Sequence, residues 1–385
     1  MHGQMTLREK WLYAAGNFGT SLLPTVFVGW TIYFYAPPPD EGMQAYVSLA
    51  AVGIITFLGR LVDAVADPIV GHWSDTSRSP RGRRIPFVLY GTPGLVLTFV
   101  LLWFPPVQGV STANAVYLGV MMGAFWFFYT VVVAPYLSLL PEISTVLAER
   151  VSVSTYMAVF EVLSLIVGSL VVGPIVEFFS GGVTLGPVHF GDGFKIMGVL
   201  MGVIGGASFL MTGLTIRETP HHAGKDVTFP FAEAMSSTFR NPGFPPYLVT
   251  VSMFRVAIDV VVVSIPFLVK TVMREGEAWA GVGQGLVVIV ATMMFPAVTK
   301  LSEVWGKRKL MILGGAGFAL VLPIMFTIGK WPMFSPLTQG MILFALAGIP
   351  TATLLVLPRP MLADVIDMDA ARTGFRREAM YNGME

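Results

Sequence analysis

The chain has 385 residues, 54% of them hydrophobic and 12% charged, with a net charge of +1 and no cysteine. Soluble proteins carry roughly a quarter charged residues, so this composition excludes disorder, a nucleic-acid module and an ordinary cytosolic enzyme. The missing cysteines exclude disulfides, thiolate nucleophiles and cysteine-ligated zinc or iron–sulfur centres.

What remains is an all-α polytopic membrane protein. A helix crosses the hydrocarbon core with about 20 apolar residues. Ten such segments are predicted, at 11–35, 44–71, 86–104, 113–140, 151–179, 194–216, 246–270, 278–299, 310–329 and 337–357. They are too long for the alternating ~10-residue strands of a membrane barrel. Residues 1–10 are polar and do not read as a cleaved signal peptide.

The first span carries Asn17, Thr20 and Ser21, which either line a cavity or bridge helices, and Trp30, Tyr33 and Tyr35. The second ends on Arg60, Asp63 and Asp67, spaced i, i+3 and i+7 and so on one helical stripe. An ionisable residue in mid-span costs roughly 2.5–3.5 kcal/mol on insertion scales, which makes such residues functional candidates. Asp63 and Asp67 lie one turn apart, about 5–6 Å between Cβ atoms. At that spacing in low dielectric, one acid holds a proton or a cation joins the two. Hard oxygen ligands suit Na⁺, Li⁺ or a proton. The bland alternative is an ion pair with Arg60, but one arginine cannot neutralise two acids.

Further along, Trp126 and Tyr129 in span four are candidates to stack on a ligand, or are interfacial anchors. Glu161 in span five has no local partner. A polar connection at 217–245, with a short amphipathic stretch at 231–239, divides the chain into an N-terminal six-helix bundle (1–216) and a C-terminal bundle (246–385). In span seven Arg255 and Asp259 sit at i and i+4 and pair with each other or with a solute. Gln284 in span eight has the same two readings as Asn17 and Ser21.

The halves echo each other. Ser74-Asp75 followed by Arg81-Gly82-Arg83-Arg84 follows span two, and Ser302-Glu303 followed by Gly306-Lys307-Arg308-Lys309 follows span eight. This suggests a duplicated bundle of the transporter type with a central site between repeats. Eighteen of the 24 Lys and Arg residues fall in connections on the side of the N-terminus, four on the other side and two within spans. The N-terminus is therefore expected in the cytoplasm, in a plasma (inner) membrane. No metal-ligand spacing joins His72, His189, His221 and His222, and no phosphate loop or Ser–His–acid set is present, so an enzyme is not expected. No cofactor is implied beyond a coupling ion.

Residues 60–71, Arg-Leu-Val-Asp-Ala-Val-Ala-Asp-Pro-Ile-Val-Gly, resemble the signature of the glycoside–pentoside–hexuronide:cation symporters of the major facilitator superfamily, the melibiose permease group. Asp75, Arg78, Arg81, Arg83 and Arg84 resemble the superfamily loop motif. Tyr129-Thr130 with Pro135 and residues 138–142, and Ala363-Asp364 with Arg372 and Arg376-Arg377-Glu378, are similar to two further segments of the family. The resemblance implies two pseudo-symmetric bundles, with ten of twelve spans present. It makes Asp63 and Asp67 the ligands of the coupling cation and adds Thr130 to their site. It also implies gating or structural roles for Arg60, Asp75, Arg81, Arg83, Arg84, Asp364 and Arg377.

Departures from the family pattern matter. Sodium users often place Asn where this chain has Ala66, so a proton is more plausible here than in a typical relative. The family's sugar-holding charges correspond to Ser21, Val133 and Ala158, all neutral. A carboxylate accepts from two sugar hydroxyls at once, so recognition of the melibiose type is not expected. The solute pocket is expected around Asn17, Ser21, Trp126, Tyr129, Glu161, Arg255, Asp259 and Gln284. The expectation is a Na⁺- or H⁺-coupled symporter of a sugar, glycoside or related solute. The alternatives are a lysolipid-type symporter of the same family and a non-transporting receptor or scaffold on this fold.

Overall fold

The computed structural model describes residues 5–39, 43–77, 79–143, 147–185, 188–190, 192–216, 218, 238–373 and 381. Long helices stand at each expected span. They are α1 (Leu7–Tyr35), α2 (Leu49–Thr76), α3 (Ile85–Leu101), α4 (Thr112–Ile143) and α5 (Leu147–Ile166), the last continuing through a π-helical turn (Val167–Val171) into α6 (Val172–Phe178). They continue as α7 (Gly193–Thr215), α8 (Phe244–Leu268) with a π-helical turn (Val269–Met273), α9 (Glu277–Trp305), α10 (Lys307–Met325) and α11 (Pro336–Val356). A polar helix, α12 (Pro358–Thr373), follows. Among the described residues eight helical stretches are long and apolar enough to cross a membrane, and α3 is a shorter apolar helix.

The fold is all-helical, with one short extended pair in a connection. Between α6 and α7 a short antiparallel pair, β1 (Val183–Leu185) and β2 (Val188–Phe190), matches Val183 with Phe190 and Leu185 with Val188. The β-branched Val183, Thr184 and Val188 after the glycine turn at Gly182 (φ 72°) favour extended backbone there over helix.

Local chemistry sets the helix ends. Thr6 and Glu9 open α1 reciprocally: the Thr6 hydroxyl accepts from the Glu9 N–H, and the Glu9 carboxylate accepts from the Thr6 N–H at 2.8 Å. Asp192 caps α7 by accepting from the Lys195 N–H, and Ser335 with Pro336 opens α11. The echoed turns after spans two and eight share a backbone form. Gly82 and Gly306 both adopt positive φ, 104° and 83°, where an L side chain would be strained.

Two compact units result. The first comprises residues 1–221 and 269–285, the second residues 222–268 and 286–385. In the first, α2 packs on α4, α1 on α5 and α7, and α3 on α4 and α7. Its core includes a reciprocal tie in which the Tyr13 hydroxyl donates to the Tyr136 carbonyl and the Tyr136 hydroxyl to the Tyr13 carbonyl, each at 2.9 Å, with the rings stacked. In the second, α10 packs on α11. There a cluster of Phe244, Tyr247, Leu362, Val365, Ile366 and Tyr381 seats α12 against α8. Buried Asn241 donates to the Val365 carbonyl and the Tyr381 hydroxyl, both at 2.9 Å.

Candidate functional site

Helical periodicity gives α2 distinct faces. Buried Val52, Ala66 and Val70 share one side with Gly59, which meets α4, while exposed Leu58, Leu61, Val65 and Ile69 lie on the opposite flank. Asp63 sits at the edge of the packed face and is half-buried. Asp67 and Arg60 lie further round on the same side, Arg60 half-buried and Asp67 exposed. The acidic stripe is thus set apart from the apolar one, as an ionisable group in a span requires.

Contact with α4 completes the site. Gly59 lets the two helices approach: a Cβ there would fall 2.8 Å from Met122 Cγ. Met122, Trp126 and Thr130 follow one another at i, i+4 and i+8, one stripe of α4. Thr130 is 2% exposed, and its hydroxyl donates to Asp63 Oδ1 at 2.9 Å. One turn away, the Arg60 guanidinium lies over the Trp126 indole, 4.2 Å from the ring centroid. Trp126 is held by edge contacts with Phe27, Phe125 and Tyr129, and the Tyr129 hydroxyl donates to the Thr20 carbonyl at 2.7 Å. The arrangement offers carboxylate and hydroxyl oxygens from two helices to one small cation, a hard oxygen donor set.

The other candidates fall into two kinds. Asn17 is buried, donates to the Met157 carbonyl at 2.9 Å and accepts from Thr20, which braces α1 against α5. Gln284 is buried against Gly29. Ser21, Tyr129 and Glu161 are partly exposed. Val133 and Ala158 are neutral neighbours without hydrogen-bonding side chains, the first buried and the second exposed. In the second unit Arg255 Nε and Asp259 Oδ1 approach to 3.7 Å along α8, with the arginine 63% exposed.

Among the gating candidates, Arg81 is exposed, and Arg83 and Arg84 are half-buried in the turn before α3. The side chain of Asp75, in the last turn of α2, and all of Arg377 lie outside the described residues. Asp364 on α12 takes an ion pair from Lys307 Nζ at 2.6 Å, and Lys307 also donates to the Pro360 carbonyl.

Sequence reasoning missed Glu218. Its carboxylate accepts from the Arg84 N–H at 2.9 Å and the Ile85 N–H at 3.3 Å, capping α3 where Arg84 supplies no side-chain cap. It rests directly on Gly82, where a Cβ would come within 2.2 Å of Oε2. An acidic residue just past the end of span six was the available signal. Also missed was the tip at 269–285. There Glu277 pairs with Lys270 at 3.3 Å and accepts from the Tyr33 hydroxyl, and Glu177 accepts from the Ala278 N–H at 2.7 Å.

The family model described as MFS/sugar transport protein matches residues 12–385. Over 97% of its length the chain is 23% identical to an uncharacterized symporter of Synechocystis sp., covering 80% of that protein. Over 124 residues, 32% of this chain and 23% of the relative, it is 35% identical to a sodium-dependent lysophosphatidylcholine symporter of Gallus gallus. Among solved structures, a bacterial homolog of the human lysosomal transporter Spinster superposes with a TM-score of 0.68 at 14% identity, covering 98% of this chain and 80% of that one. At that identity the likeness speaks to the fold.

Proposed function

From the premise that the chain belongs to the MFS/sugar transport protein family, a family of multi-span membrane transporters and not of enzymes, we propose that it is a cation-coupled symporter working by alternating access. The observation that carries this reading is the meeting of Asp63 and Thr130 at 2.9 Å across α2 and α4, with Asp67 one turn away. A cation entering there neutralises the carboxylates and ties the two helices together. That binding energy is then available to raise affinity for the solute, since any ligand that prefers one state shifts the population toward it. Ten spans with the N-terminus in the cytoplasm are part of the same proposal, supported by the skew of Lys and Arg to one side.

The first reading of the solute is a sugar, glycoside or related compound, in keeping with the family's description, bound near Ser21, Tyr129 and Glu161 of the first unit. The second is an amphipathic lysolipid. It is favoured by the neutral Ser21, Val133 and Ala158 and by the similarity to the chicken lysophosphatidylcholine symporter. Uptake into liposomes under an imposed Na⁺ or pH gradient, with sugars, glycosides and lysolipids in turn, tests the proposal. Gradient-driven accumulation of one of these solutes, lost in both Asp63→Asn and Asp67→Asn, is the expected result. Accumulation that is equal in wild type and both variants rejects the coupling assignment, and binding without flux leaves a receptor.

A further inference from the structure

Residues 269–285 join α8 to the first turns of α9 and belong to the first unit, whereas 222–268 and 286–385 belong to the second. This tip lies at the end of α1 remote from the N-terminus, where Tyr33 donates to the Glu277 carboxylate at 3.3 Å. Glu277 also pairs with Lys270 at 3.3 Å. The residue before α9 is Gly276, which has no side chain to cap the helix. Glu177, in the last turn of α6, supplies the cap instead. Its Oε2 accepts from the Ala278 N–H at 2.7 Å, at the positive end of the α9 dipole. One turn earlier on the same stripe of α6, Gly173 meets α9 backbone to backbone. A Cβ on Gly173 would fall 2.7 Å from the Gly281 nitrogen, and one on Gly281 would fall 3.0 Å from the Gly173 nitrogen.

Such a contact can part at low cost. Inside a membrane no hydrophobic force holds helix to helix, and small residues and interhelical hydrogen bonds do so instead. Glycine facing glycine separates without repacking side chains. Glu177 is exposed, so water can replace its hydrogen bond when the tip lifts. A π-helical turn precedes the contact on each side, Val167–Val171 before α6 and Val269–Met273 after α8, and such turns gather at functional sites. Arg274, at φ 57°, completes the chain reversal in the left-handed region that an L side chain disfavours.

We propose that Glu177 is a positioning residue of the transport cycle: by capping α9 it latches residues 269–285 onto α1 and α6, and this latch releases when a solute passes that end of the first unit. Without the carboxylate the first N–H groups of α9 turn to water and the tip opens more often. This inference rests on the symporter reading and adds to it the group that holds one end shut.

The chain has no cysteine, so each introduced thiol reports alone. Ala280, in the first turn of α9, is 1% exposed, and Ala15, in the N-terminal half of α1, is 7% exposed. The test follows the reaction of Ala280→Cys and, separately, Ala15→Cys with a polar maleimide in the purified full chain in lipid nanodiscs. Adding Glu177→Ala is expected to speed the reaction of Ala280→Cys on the order of tenfold. Glu177→Gln keeps an acceptor without the charge and should fall between. Ala15→Cys should react at one rate in every background. An unchanged rate at Ala280→Cys overturns the latch, and so does an equal rise at Ala15→Cys, which would mean general loosening. The pair Glu177→Cys/Gly276→Cys then fixes the tip covalently, since a Cβ on Gly276 would fall 2.7 Å from Glu177 Cδ. In liposomes, uptake of the sugar, glycoside or lysolipid that wild type accumulates is expected to be lost on oxidation of the pair and regained with dithiothreitol. Uptake indifferent to the cross-link overturns the role in transport. If Glu177→Ala does not fold, Glu177→Gln and the cross-linked pair still decide it. A wild type that accumulates none of these solutes defeats the symporter reading, while the maleimide rates still judge the latch.

Discussion

Each unit carries an arginine and an aspartate in mid-span on a single helix, and the two pairs dispose of their charge differently. On α8, Arg255 and Asp259 are i, i+4 neighbours that approach each other to 3.7 Å. On α2, Arg60 and Asp63 are i, i+3 neighbours, but the arginine lies on Trp126 and the aspartate accepts from Thr130, both residues of α4. The spacing permits a local pair in both cases. What separates them is the neighbouring helix: α4 brings an aromatic face and a hydroxyl to α2 at the required heights. A charge pair satisfied within its own helix is structurally self-sufficient. On α2 both charged groups also engage a second helix, which sets an α4 hydroxyl beside the carboxylate.

The sharpest break of this comparison is Asp63→Asn. It keeps the shape and one oxygen but removes the charge, and gradient-driven uptake in liposomes should fall to the level of protein-free vesicles. Thr130→Ala should be milder. It removes one neutral oxygen and one buried hydrogen bond, worth about 1–3 kcal/mol, and should weaken apparent cation affinity on the order of tenfold with the protein still folded, as read from the cation dependence of uptake. Arg255→Gln probes the other pair. It should lower the melting temperature by leaving Asp259 alone in the span, and Arg255→Gln/Asp259→Asn should recover part of that loss, as expected of partners in one interaction. A double variant as unstable as the single would mean that the two do not act as a pair. Smallest is Lys307→Met, which breaks an exposed ion pair with Asp364. Such pairs contribute about 0–1 kcal/mol, so the melting temperature should move by no more than about 2 °C and less at high salt.

The turns after spans two and eight make the same point on a smaller scale. Both use a glycine with positive φ, and the repeated glycine before a basic cluster was visible in the sequence. The partners were not. Gly82 is covered by the Glu218 carboxylate, which caps α3. Gly306 has open space beside it, and its turn is tied instead by Lys307 to Asp364 on α12. The same local motif is therefore locked by an acid from elsewhere in one unit and by a base within the motif in the other. No local pattern predicts which, because Glu218 is 134 residues from Arg84 in the chain.

The apolar tracts alone located the helices. Expected spans such as 151–179 and 246–270 reappear as helical stretches, Ser152–Phe178 and Phe244–Met273. The short pair β1 and β2 lies in a connection between expected spans, where no long tract imposed a period. Of the site, the stripe of Arg60, Asp63 and Asp67 was readable, since helical periodicity follows from spacing within one segment. Asn17 was readable only as polar and in a span; that it braces α1 on α5 through the Met157 carbonyl required knowing which helix lies beside it.

By itself, then, the amino-acid order determined which segments are helical, which of them carry charge and on which stripe, because these are properties of residues a few positions apart. Only the tertiary structure decided that Thr130, 67 residues from Asp63, completes the oxygen set, that Trp126 takes Arg60, and that Glu218 closes the turn at Gly82. Those pairings depend on the approach and register of packed helices, as at Gly59 against Met122, and such register is a property of the packed unit that no single segment carries.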